Sequence, residues 1–349
     1  MTDGTRTSPR LRKTAAGFGL LVGRLPASPV PLDAPRGPDW AQASPVWIEA
    51  ALALALAKNG GGWYALDRRE AMVGLGPWRR TVVGVDLVIW RAADGALAAA
   101  PDVCPHLGAS LATGRVEEGR LVCPWHGLRL DQRGFRDWRC HPVHDDGVLV
   151  WVRLPTPGEQ ATEHPIVAPR PERGIAATIA AEVRCEPEDV LANRLDPWHG
   201  AHFHPHSFSA LEVLEQTLDV LKLRVTYRIA GPLGIEVDAT FHCPDPRTIV
   251  MTIVDGDGAG SVVETHATPL GPGRTLLLES TIATSDRLGF GIARRLPALV
   301  RPFIERRARR LWADDITYAE RRYALRMAAA AEEPGDDDDL TAPGLPRSR

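Results

Sequence analysis

The chain has 349 residues, a formal net charge of -3 at pH 7, and hydrophobic side chains at 44% of its positions. This length favours two domains over one small core, and the slight negative charge excludes a general polyanion binder such as a nucleic-acid protein. Five scattered cysteines exclude a dense disulfide framework, so we expect a reducing, cytoplasmic compartment. No stretch reaches the roughly 18 uninterrupted apolar residues of a transmembrane helix.

The first part of the chain predicts an extension followed by a small β domain. Residues 1–59 are interpreted as an extension rich in Pro, Gly and Arg, with a short helix at 47–58 that stops before Gly60. From residue 60 to residue 155 the pattern changes to short alternating or β-branched runs, separated by turns that contain Gly and Pro. This pattern predicts a small antiparallel, all-β domain.

The rest of the chain predicts a linker, a second domain and a tail. Residues 156–174 are predicted to be the linker. Residues 175–328 predict a helical segment at about 187–204, several strands between 217 and 284, and a long helix from about 290 to 328. Residues 329–349 predict a disordered acidic tail. One antiparallel sheet with a long helix that can cover one of its faces makes the fold class α+β.

Two short segments of the first domain each contribute one cysteine and one histidine. Cys104 and His106 are followed, after 16 intervening residues, by Cys123 and His126. Two Cys and two His suit structural zinc, or a [2Fe-2S] cluster of Rieske type in which two thiolates bind one iron and two imidazoles bind the other. A Cys2His2 zinc finger keeps its cysteines as one pair and its histidines as another, whereas each segment here supplies one of each.

The first domain resembles the Rieske family, and the similarity extends beyond these four residues. The matching runs follow the family's order over about 90 residues: WY at 63–64, VVGVDLVIWRAADGAL, CPHLGASL, CPWHGLRLDQRGFRDW and VLVWV. The resemblance implies a [2Fe-2S] cluster held by Cys104, His106, Cys123 and His126. Neutral imidazoles in place of two thiolates raise the reduction potential to about -150 to +300 mV. The domain is therefore expected to relay single electrons, and zinc in the same four ligands remains the alternative.

A second group of polar residues lies near the start of the second domain. Asn193, Asp196 and His199 are three residues apart, which places them on one broad face of a helix. His204 follows five residues later and would point away on an unbroken helix, so both histidines can reach one metal only if the helix ends, bulges or turns between them. Gly200 permits such a break, and the proline after His204 disfavours α geometry there.

The long C-terminal helix supplies a carboxylate candidate. Asp315 lies within an apolar stripe made of Leu296, Val300, Ile304, Ala308, Leu311, Tyr318 and Ala319. An ionised carboxylate on a buried face is costly unless it is paired or binds a metal. Asp314 lies about 100° round the helix, towards its arginine-rich side, and is interpreted as a solvated salt-bridge residue. His199, His204 and Asp315 would then form the 2-His-1-carboxylate set that leaves open positions on non-haem Fe(II).

The two motifs together resemble the catalytic α subunit of Rieske non-haem iron oxygenases, over roughly residues 60–325. The family motif N-x-x-D-x-x-H-x4-H and its later D-x4-E are matched by Asn193, Asp196, His199, His204, Asp315 and Glu320. The resemblance implies an N-terminal all-β Rieske domain, a helix-grip (START-like) catalytic domain, mononuclear Fe(II) and O2 as co-substrate. It also implies a head-to-tail homotrimer in which one protomer's cluster serves the neighbour's iron, with Asp196 as the hydrogen-bonded bridge and Asn193 beside it in the catalytic motif.

The resemblance further implies hydroxylation, demethylation or desaturation of a small apolar substrate of aromatic, terpenoid or carotenoid type. The single-chain layout is closer to the monooxygenase and demethylase-like branches than to the ring-dihydroxylating enzymes. The chain has no flavin or nucleotide fingerprint, so NAD(P)H is expected to act through a separate ferredoxin or flavin reductase. The alternative is a non-enzymatic Rieske electron carrier whose second domain binds a ligand or partner, although a carrier has no use for Asp315 in an apolar stripe.

Two features leave part of the assignment open. His202 and His206 follow closely, and either could replace one of the two ligand histidines. Arg322 stands where many relatives have Gln, on the same helix face as Asp315. It either pairs with an acidic neighbour or holds a substrate carboxylate.

Overall fold

The computed structural model describes residues 12–13, 23–24, 43–230 and 233–332. Two short strands, β1 (Arg12–Lys13) and β2 (Gly23–Arg24), are all that is described of the first 42 residues. The predicted loose extension therefore lies mostly outside the described residues, as does the acidic tail from residue 333 onward.

The first domain is built from short antiparallel strands, as the alternating pattern predicts. Its strands are β3 (Trp63–Arg68), β4 (Trp78–Val82), β5 (Val85–Arg91), β6 (Leu97–Pro101), β7 (Arg115–Glu117), β8 (Arg120–Val122), β9 (Arg129–Leu130), β10 (Val143–Asp145) and β11 (Leu149–Arg153). They form three sheets in the orders β10-β11-β3, β4-β5-β6 and β7-β8-β9. The third sheet carries the segment between the two Cys/His pairs, so it sets their spacing.

The second domain is one antiparallel sheet with helices at both ends of its sequence. Its strands are β12 (Ile175–Val183), β13 (Phe208–Gln216), β14 (Leu221–Ala230), β15 (Leu233–Asp245), β16 (Thr248–Gly256), β17 (Val262–Gly271) and β18 (Arg274–Ala283). The strand order is β13-β14-β15-β16-β17-β18-β12, and β2 also pairs with β15. The strand β13 was not predicted, because its glutamates and half-exposed side chains blur the alternating pattern. The α+β class is confirmed.

One N-terminal helix belongs to the core of the second domain. Helix α1 (Pro45–Leu56) begins with proline after Ser44, whose hydroxyl accepts a hydrogen bond from the N–H of Trp47 at 3.3 Å. Its buried residues Ile48, Ala51, Leu52 and Ala55 pack in the same cluster as Ile179, Leu191, Leu277 and Trp312. The helix is therefore part of the second domain's packing rather than of a separate extension.

The helix predicted at about 187–204 is broken in the structure. It divides into α2 (Pro187–Leu195) and α3 (His199–Phe203), and Asp196 between them has φ -101° and ψ 88°. Gly200, which would permit a break, lies inside α3, and the helix instead ends between His199 and His204 at Phe203. Pro197 explains the break at Asp196, since a residue before proline is driven out of α geometry. The expectation for His204 is confirmed, since it ends α3 with φ -118° and ψ 53°.

The C-terminal helix also differs from its prediction. Helix α4 (Leu288–Ala293) is separate from α5 (Pro297–Glu332), and α5 continues past the predicted end at residue 328. Leu296 lies in the break and is 51% exposed, so its assignment to the buried stripe was wrong. The predicted burial of Asp315 and Ala319 further along α5 is confirmed, and Trp312, which was not in the predicted stripe, is buried as well. Within the described residues, no helix combines the length and hydrophobicity that crossing a membrane requires.

A buried ionic cluster joins the two domains. Arg170 of the linker contacts Asp146 of the first domain at 3.0 Å and Glu264 of strand β17 at 2.6 Å. His266 lies 3.2 Å from Glu264 and packs edge-on against Trp151 of strand β11. Burial by itself raises the pKa of Glu264, but hydrogen bonds from His266 and Arg170 outweigh it and lower the pKa to about 2. The cluster thus fixes the first domain against the sheet that carries the second site.

Candidate metal centres

The two Cys/His segments fold into loops of the same backbone shape. In each loop the cysteine N–H donates to the carbonyl five residues later, and the N–H of the glycine four residues later donates back to the cysteine carbonyl, at 2.8 to 3.0 Å. Gly108 and Gly127 have φ of +83° and +69°, in the left-handed region where a side chain is strained. The equal spacing from Cys104 and Cys123 to these glycines therefore builds two matching turns.

The two loops bring the four predicted cluster ligands to one tip of the first domain. Cys104 and Cys123 are buried in the same cluster, while the exposed rings of His106 and His126 lie with their centroids 4.8 Å apart. Burial raises the pKa of the Cys123 thiol, but hydrogen bonds from the N–H groups of Trp125 and His126 outweigh it and lower the pKa. Paired thiols beside paired imidazoles fit the donor set of a Rieske [2Fe-2S] cluster.

The second site brings His199, His204 and Asp315 together at the junction of α3 and α5. Nε2 of His199 lies 3.2 Å, and Nε2 of His204 2.8 Å, from the same Oδ1 of Asp315. Their ligand atoms all lie within 4.8 Å of one another. Asp315 is 1% exposed. Burial by itself raises its pKa, but hydrogen bonds from His199 and His204 outweigh it and hold the pKa below its usual range.

Asn193 is the third residue that contacts the carboxylate of Asp315. It is fully buried on α2, and its Nδ2 donates to the same Oδ1 of Asp315 at 3.1 Å. Three nitrogens thus surround one carboxylate oxygen, and each imidazole nitrogen among them needs a proton to form its bond. A divalent cation would take the place of those protons and bind both imidazoles and the carboxylate, so the donor set fits non-haem Fe(II).

Asp314 lies beside His204 rather than in solvent among arginines. Its Oδ2 lies 3.2 Å from Nδ1 of His204 and 3.9 Å from Nδ1 of His206, and its side chain is 39% exposed. The interpretation of Asp314 as a solvated salt-bridge residue was therefore wrong. Its carboxylate faces the ring nitrogen of His204 that is turned away from Asp315, which is where supporting carboxylates of metal-binding histidines lie.

Asp196 lies on the outer side of the same site. Its Oδ2 accepts a hydrogen bond from the hydroxyl of Tyr318 at 3.1 Å and lies 3.8 Å from Nδ1 of His199, beyond hydrogen-bonding distance. Burial lowers the pKa of His199, but the carboxylates of Asp196 and Asp315 outweigh it and raise the pKa to about 9. Asp196 can therefore orient His199 only after a small movement, and Tyr318 competes for the same oxygen.

The remaining candidates of the sequence stay outside the three-residue group. His202 is exposed, and His206 joins His204 and Asp314 in a second, less buried group whose ligand atoms lie within 4.8 Å of one another. Arg322 forms ion pairs with Glu49 at 2.7 Å and Asp189 at 2.5 Å. Of the two roles considered for Arg322, the structure shows the pairing.

A largely apolar cavity of about 410 Å³ adjoins this site, and His199, His204 and Asp315 form part of its wall. Its other wall residues come mainly from the sheet and from α4 and α5, and include Phe208, Leu211, Leu223, Val225, Tyr227, Phe241, Met251, Ile253, Phe290, Phe303 and Ile304. Burial raises the pKa of the Tyr227 phenol to about 12, and its hydroxyl donates to the sulfur of Met251 at 3.4 Å. The cavity is therefore suited to a bulky apolar molecule.

Sequence reasoning missed a buried ion pair in the cavity wall. Arg194 lies 3.1 Å from Glu279, and Glu279 also accepts a hydrogen bond from Nε1 of Trp312 at 2.6 Å. Burial raises the pKa of Glu279 despite the charge of Arg194. Two sequence features could have indicated this pair, namely a glutamate inside the apolar run of β18 and an arginine inside the N-x-x-D motif.

Comparison with known proteins gives matches in both domains. The Rieske [2Fe-2S] domain family matches residues 62–144, and a domain of unknown function, DUF5914, matches residues 156–330, which is half of the chain. The vanillate O-demethylase oxygenase subunit of Pseudomonas sp. (strain ATCC 19151) is 30% identical over 146 residues, covering 37% of this chain and 44% of that protein. The oxygenase component of dicamba O-demethylase from Stenotrophomonas maltophilia is 29% identical over 163 residues, covering 41% and 46%.

The fold is similar to that of a solved structure over most of both chains. The crystal structure of dicamba monooxygenase bound to dicamba superposes with a TM-score of 0.59 at 19% identity, covering 80% of this chain and 92% of that one. At this identity the likeness shows the fold alone. The matched regions of the two curated relatives span less than half of their length. The chain belongs to the DUF5914 family and contains a Rieske [2Fe-2S] domain at residues 62–144.

Proposed function

We propose that the chain is a Rieske-type oxygenase that oxidises a bulky apolar substrate by hydroxylation, demethylation or desaturation. The observation that carries this proposal is the convergence of His199, His204 and Asp315 beside an apolar cavity. The same chain presents paired thiols and imidazoles at the tip of its first domain. A simple electron carrier needs only that tip.

The residues divide the work between two centres. Cys104, His106, Cys123 and His126 would hold the [2Fe-2S] cluster, and His199, His204 and Asp315 would hold Fe(II). When bound, the cluster supplies single electrons and the iron supplies the O2 chemistry that oxidises a C–H bond. The chain's own part is to orient the ligands, exclude water from the cavity and position the substrate.

The second-site residues are arranged to keep the ligands fixed. Asn193 donates to Asp315, so the carboxylate is held on the side of the two histidines. Asp314 contacts Nδ1 of His204, and this leaves Nε2 of the same ring directed towards Asp315. Supporting contacts of this kind fix the tautomer and orientation of a ligating histidine.

We further propose that the protein works as a head-to-tail homotrimer, with Asp196 as the bridge between centres of two protomers. Two observations support this. His106 and His126 are exposed, so the cluster tip is available to another protomer. A shallow surface pocket lies on the outer side of the second site, lined by His199, His202, Phe203, Thr317, Tyr318 and Arg321. Asp196 contacts both Tyr318 and Trp198 beside this pocket.

The cavity wall supports an apolar, uncharged substrate. Arg194 lines the cavity but is paired with Glu279, so its charge is already neutralised. The two named relatives are O-demethylases, which makes monooxygenation or demethylation the preferred reaction. Electrons would come from NAD(P)H through a separate ferredoxin or flavin reductase. The five cysteines are all free, in keeping with a reducing cytoplasm as the proposed compartment.

Oxygen uptake in a reconstituted system tests this function. The holoprotein would be mixed with a surrogate ferredoxin, a reductase and NADH, and candidate apolar substrates would be screened for O2 uptake coupled to product. We expect Asp315→Ala to abolish coupled uptake while the cluster is still reduced. Glu305→Gln on the same helix is the matched control and should keep activity. The electron carrier would be favoured by two results together. The cluster is fully reduced but no substrate in a broad screen causes O2 uptake, and Asp315→Ala behaves like the parent.

A further inference from the structure

An exposed apolar surface lies where the second domain's last two helices meet. The side chains of Leu288, Ile292, Leu296, Leu299 and Phe303 are 76%, 57%, 51%, 74% and 62% exposed. They come from α4, from the break after it and from the start of α5. Single exposed apolar residues are ordinary, but five within 16 consecutive residues form a patch of the kind that marks a binding surface.

The same segment is strongly basic. Residues 287–310 contain eight arginines and a single acidic residue, Glu305. In the described part of the chain, Arg287 pairs with Asp257, Arg301 with Glu70 and Arg309 with Glu305. Exposed arginines lie between and beyond the apolar side chains, at Arg294, Arg295, Arg306 and Arg310. We call these four arginines and the five apolar residues the α4–α5 surface.

The geometry of α5 places both kinds of side chain on one face. Leu299, Phe303, Arg306 and Arg310 are spaced by four, three and four residues, so they form one stripe along the helix. All four are exposed, whereas Ile304, Leu311 and Asp315 turn towards the domain. The stripe is apolar at the start of the helix and basic one turn later. An apolar face flanked by arginines is typical of helices that lie in a membrane interface.

The α4–α5 surface is continuous with the cavity of the second site. Phe303 is both 62% exposed and part of the cavity wall, so it lies where the cavity meets the surface. Phe290, between Leu288 and Ile292, also lines the cavity. A molecule that leaves an apolar environment at this surface would therefore enter the cavity past these two rings.

We propose that the α4–α5 surface docks on an anionic lipid bilayer, and that the cavity takes its apolar substrate from that bilayer. The docking rests on the surface itself, and the delivery rests on the proposed oxygenase function. The apolar side chains would enter the boundary between headgroups and acyl chains. The arginines would contact the anionic headgroups, where each contributes about 1 kcal/mol, or roughly fivefold in affinity. Charge favours a bilayer over pairing of this surface with the same surface of a second copy, because that contact would bring like-charged surfaces together.

Vesicle co-sedimentation of the holoprotein tests the docking without any substrate. The vesicles would contain phosphatidylcholine alone or equal parts of phosphatidylcholine and phosphatidylglycerol. We expect binding to the anionic vesicles that weakens as salt is raised, because exposed charges are screened. Leu288→Ser with Leu299→Ser, and separately Arg294→Glu with Arg295→Glu, should each lower the affinity at least tenfold. Neither pair lines the cavity or the metal centres, so both variants should keep their iron.

Matched controls lie in the first domain. Val73→Ser removes an equally exposed apolar side chain, and Arg133→Glu with Arg136→Glu reverses two exposed charges. Both controls should bind anionic vesicles like the parent. The docking is overturned if the parent does not bind, if it binds neutral vesicles equally well, or if the controls lose as much affinity as the surface variants. It is also overturned if the surface variants instead dissociate an oligomer, which would make the surface an interface between copies.

The outcomes separate this inference from the proposed function. Vesicle binding needs neither O2 nor turnover, so a protein that binds vesicles but consumes no O2 retains the docking and loses the oxygenase. A protein that turns over a water-soluble probe but ignores vesicles retains the oxygenase and loses the docking.

Discussion

His204 lies between two adjacent carboxylates of α5, with Nδ1 3.2 Å from Asp314 and Nε2 2.8 Å from Asp315. Consecutive residues on a helix point about 100° apart, and the imidazole bridges that angle because its two nitrogens lie on different edges of the ring. Asp315 can therefore serve as a ligand while Asp314 holds the ring. A pair of neighbouring aspartates supplies both roles from one helical turn.

Replacement of Asp314 by alanine should weaken iron binding without removing a ligand. Loss of a carboxylate behind a ligating histidine typically lowers metal affinity 10- to 100-fold. Asp314→Asn keeps a neutral acceptor for Nδ1 and should lie between the parent and Asp314→Ala. The measurement is an anaerobic Fe(II) titration of the second site, with the Rieske absorbance as an internal check on folding.

Glu305→Gln is the control for that series, because Glu305 lies on the same helix and pairs with Arg309 on its surface. It should bind Fe(II) like the parent. Equal affinities in Asp314→Ala and Glu305→Gln would contradict the role given to Asp314.

The buried pair of Arg194 and Glu279 should show strong energetic coupling. Arg194→Met leaves the buried Glu279, whose pKa burial already raises, without its paired cation. Breaking a buried pair in this way costs about 3–5 kcal/mol of folding stability. Glu279→Gln in the same chain removes the isolated charge and still accepts from Trp312, so the double variant should recover most of the loss. Guanidinium unfolding followed by tryptophan fluorescence gives these free energies. A small loss in Arg194→Met with no recovery in the double variant would show that the pair is not coupled.

The ionic cluster between the domains should make the free energy of unfolding depend on pH in the acidic range. The pKa of Glu264 is lowered to about 2 from its ordinary 4.5. A lowered carboxylate pKa contributes stability that is complete above the ordinary value and is lost as the pH falls from about 4.5 to about 2. The contribution is on the order of 3 kcal/mol. Glu264→Gln should therefore be less stable than the parent at pH 7, and the difference should shrink at lower pH.

Glu182→Gln provides the comparison for this pH series. Glu182 pairs with Arg274 on the surface, where both side chains are more than 60% exposed, so its loss should change stability by at most about 1 kcal/mol. The contradicting result is a free energy of unfolding of Glu264→Gln that falls in parallel with that of the parent between pH 4.5 and 2. That result would show that Glu264 does not cause the acid sensitivity.

The grouping of side chains at both candidate centres could be predicted in large part, because the Cys/His pairs and the two histidines recur at fixed short spacings. The pair of Cys/His loops depends only on local turns, and the glycines that close them were visible. The grouping of His199, His204 and Asp315 was also predictable, since an acidic residue in an apolar stripe needs a partner. Their role as ligands stays a prediction until metal is measured.

Helix continuity was predicted less well, although the sequence held the signal. Pro197 and Pro297 each drive the residue before them out of α geometry, and both predicted helices break there. The prediction for His204 rests on the same rule. These two breaks bear on the proposed function and the proposed docking, since one places Asp196 beside His199 and the other forms part of the α4–α5 surface.

Contacts between distant segments could not be read from the sequence. Arg194 meets Glu279 across 85 residues, and Arg170 meets both Asp146 and Glu264 at the domain interface. Asp314 was misinterpreted for a related reason. Helix angle alone gives its direction on α5, but the position of His204 depends on how α3 packs against that helix.

The iron content of the anaerobically purified chain tests the central claim most directly. A [2Fe-2S] cluster and one mononuclear iron give about three irons per chain. We expect about two in Asp315→Ala and about one in Cys123→Ser, with the Rieske electron paramagnetic resonance signal present only in the former. About two irons per chain in the parent, unchanged in Asp315→Ala, would contradict the account.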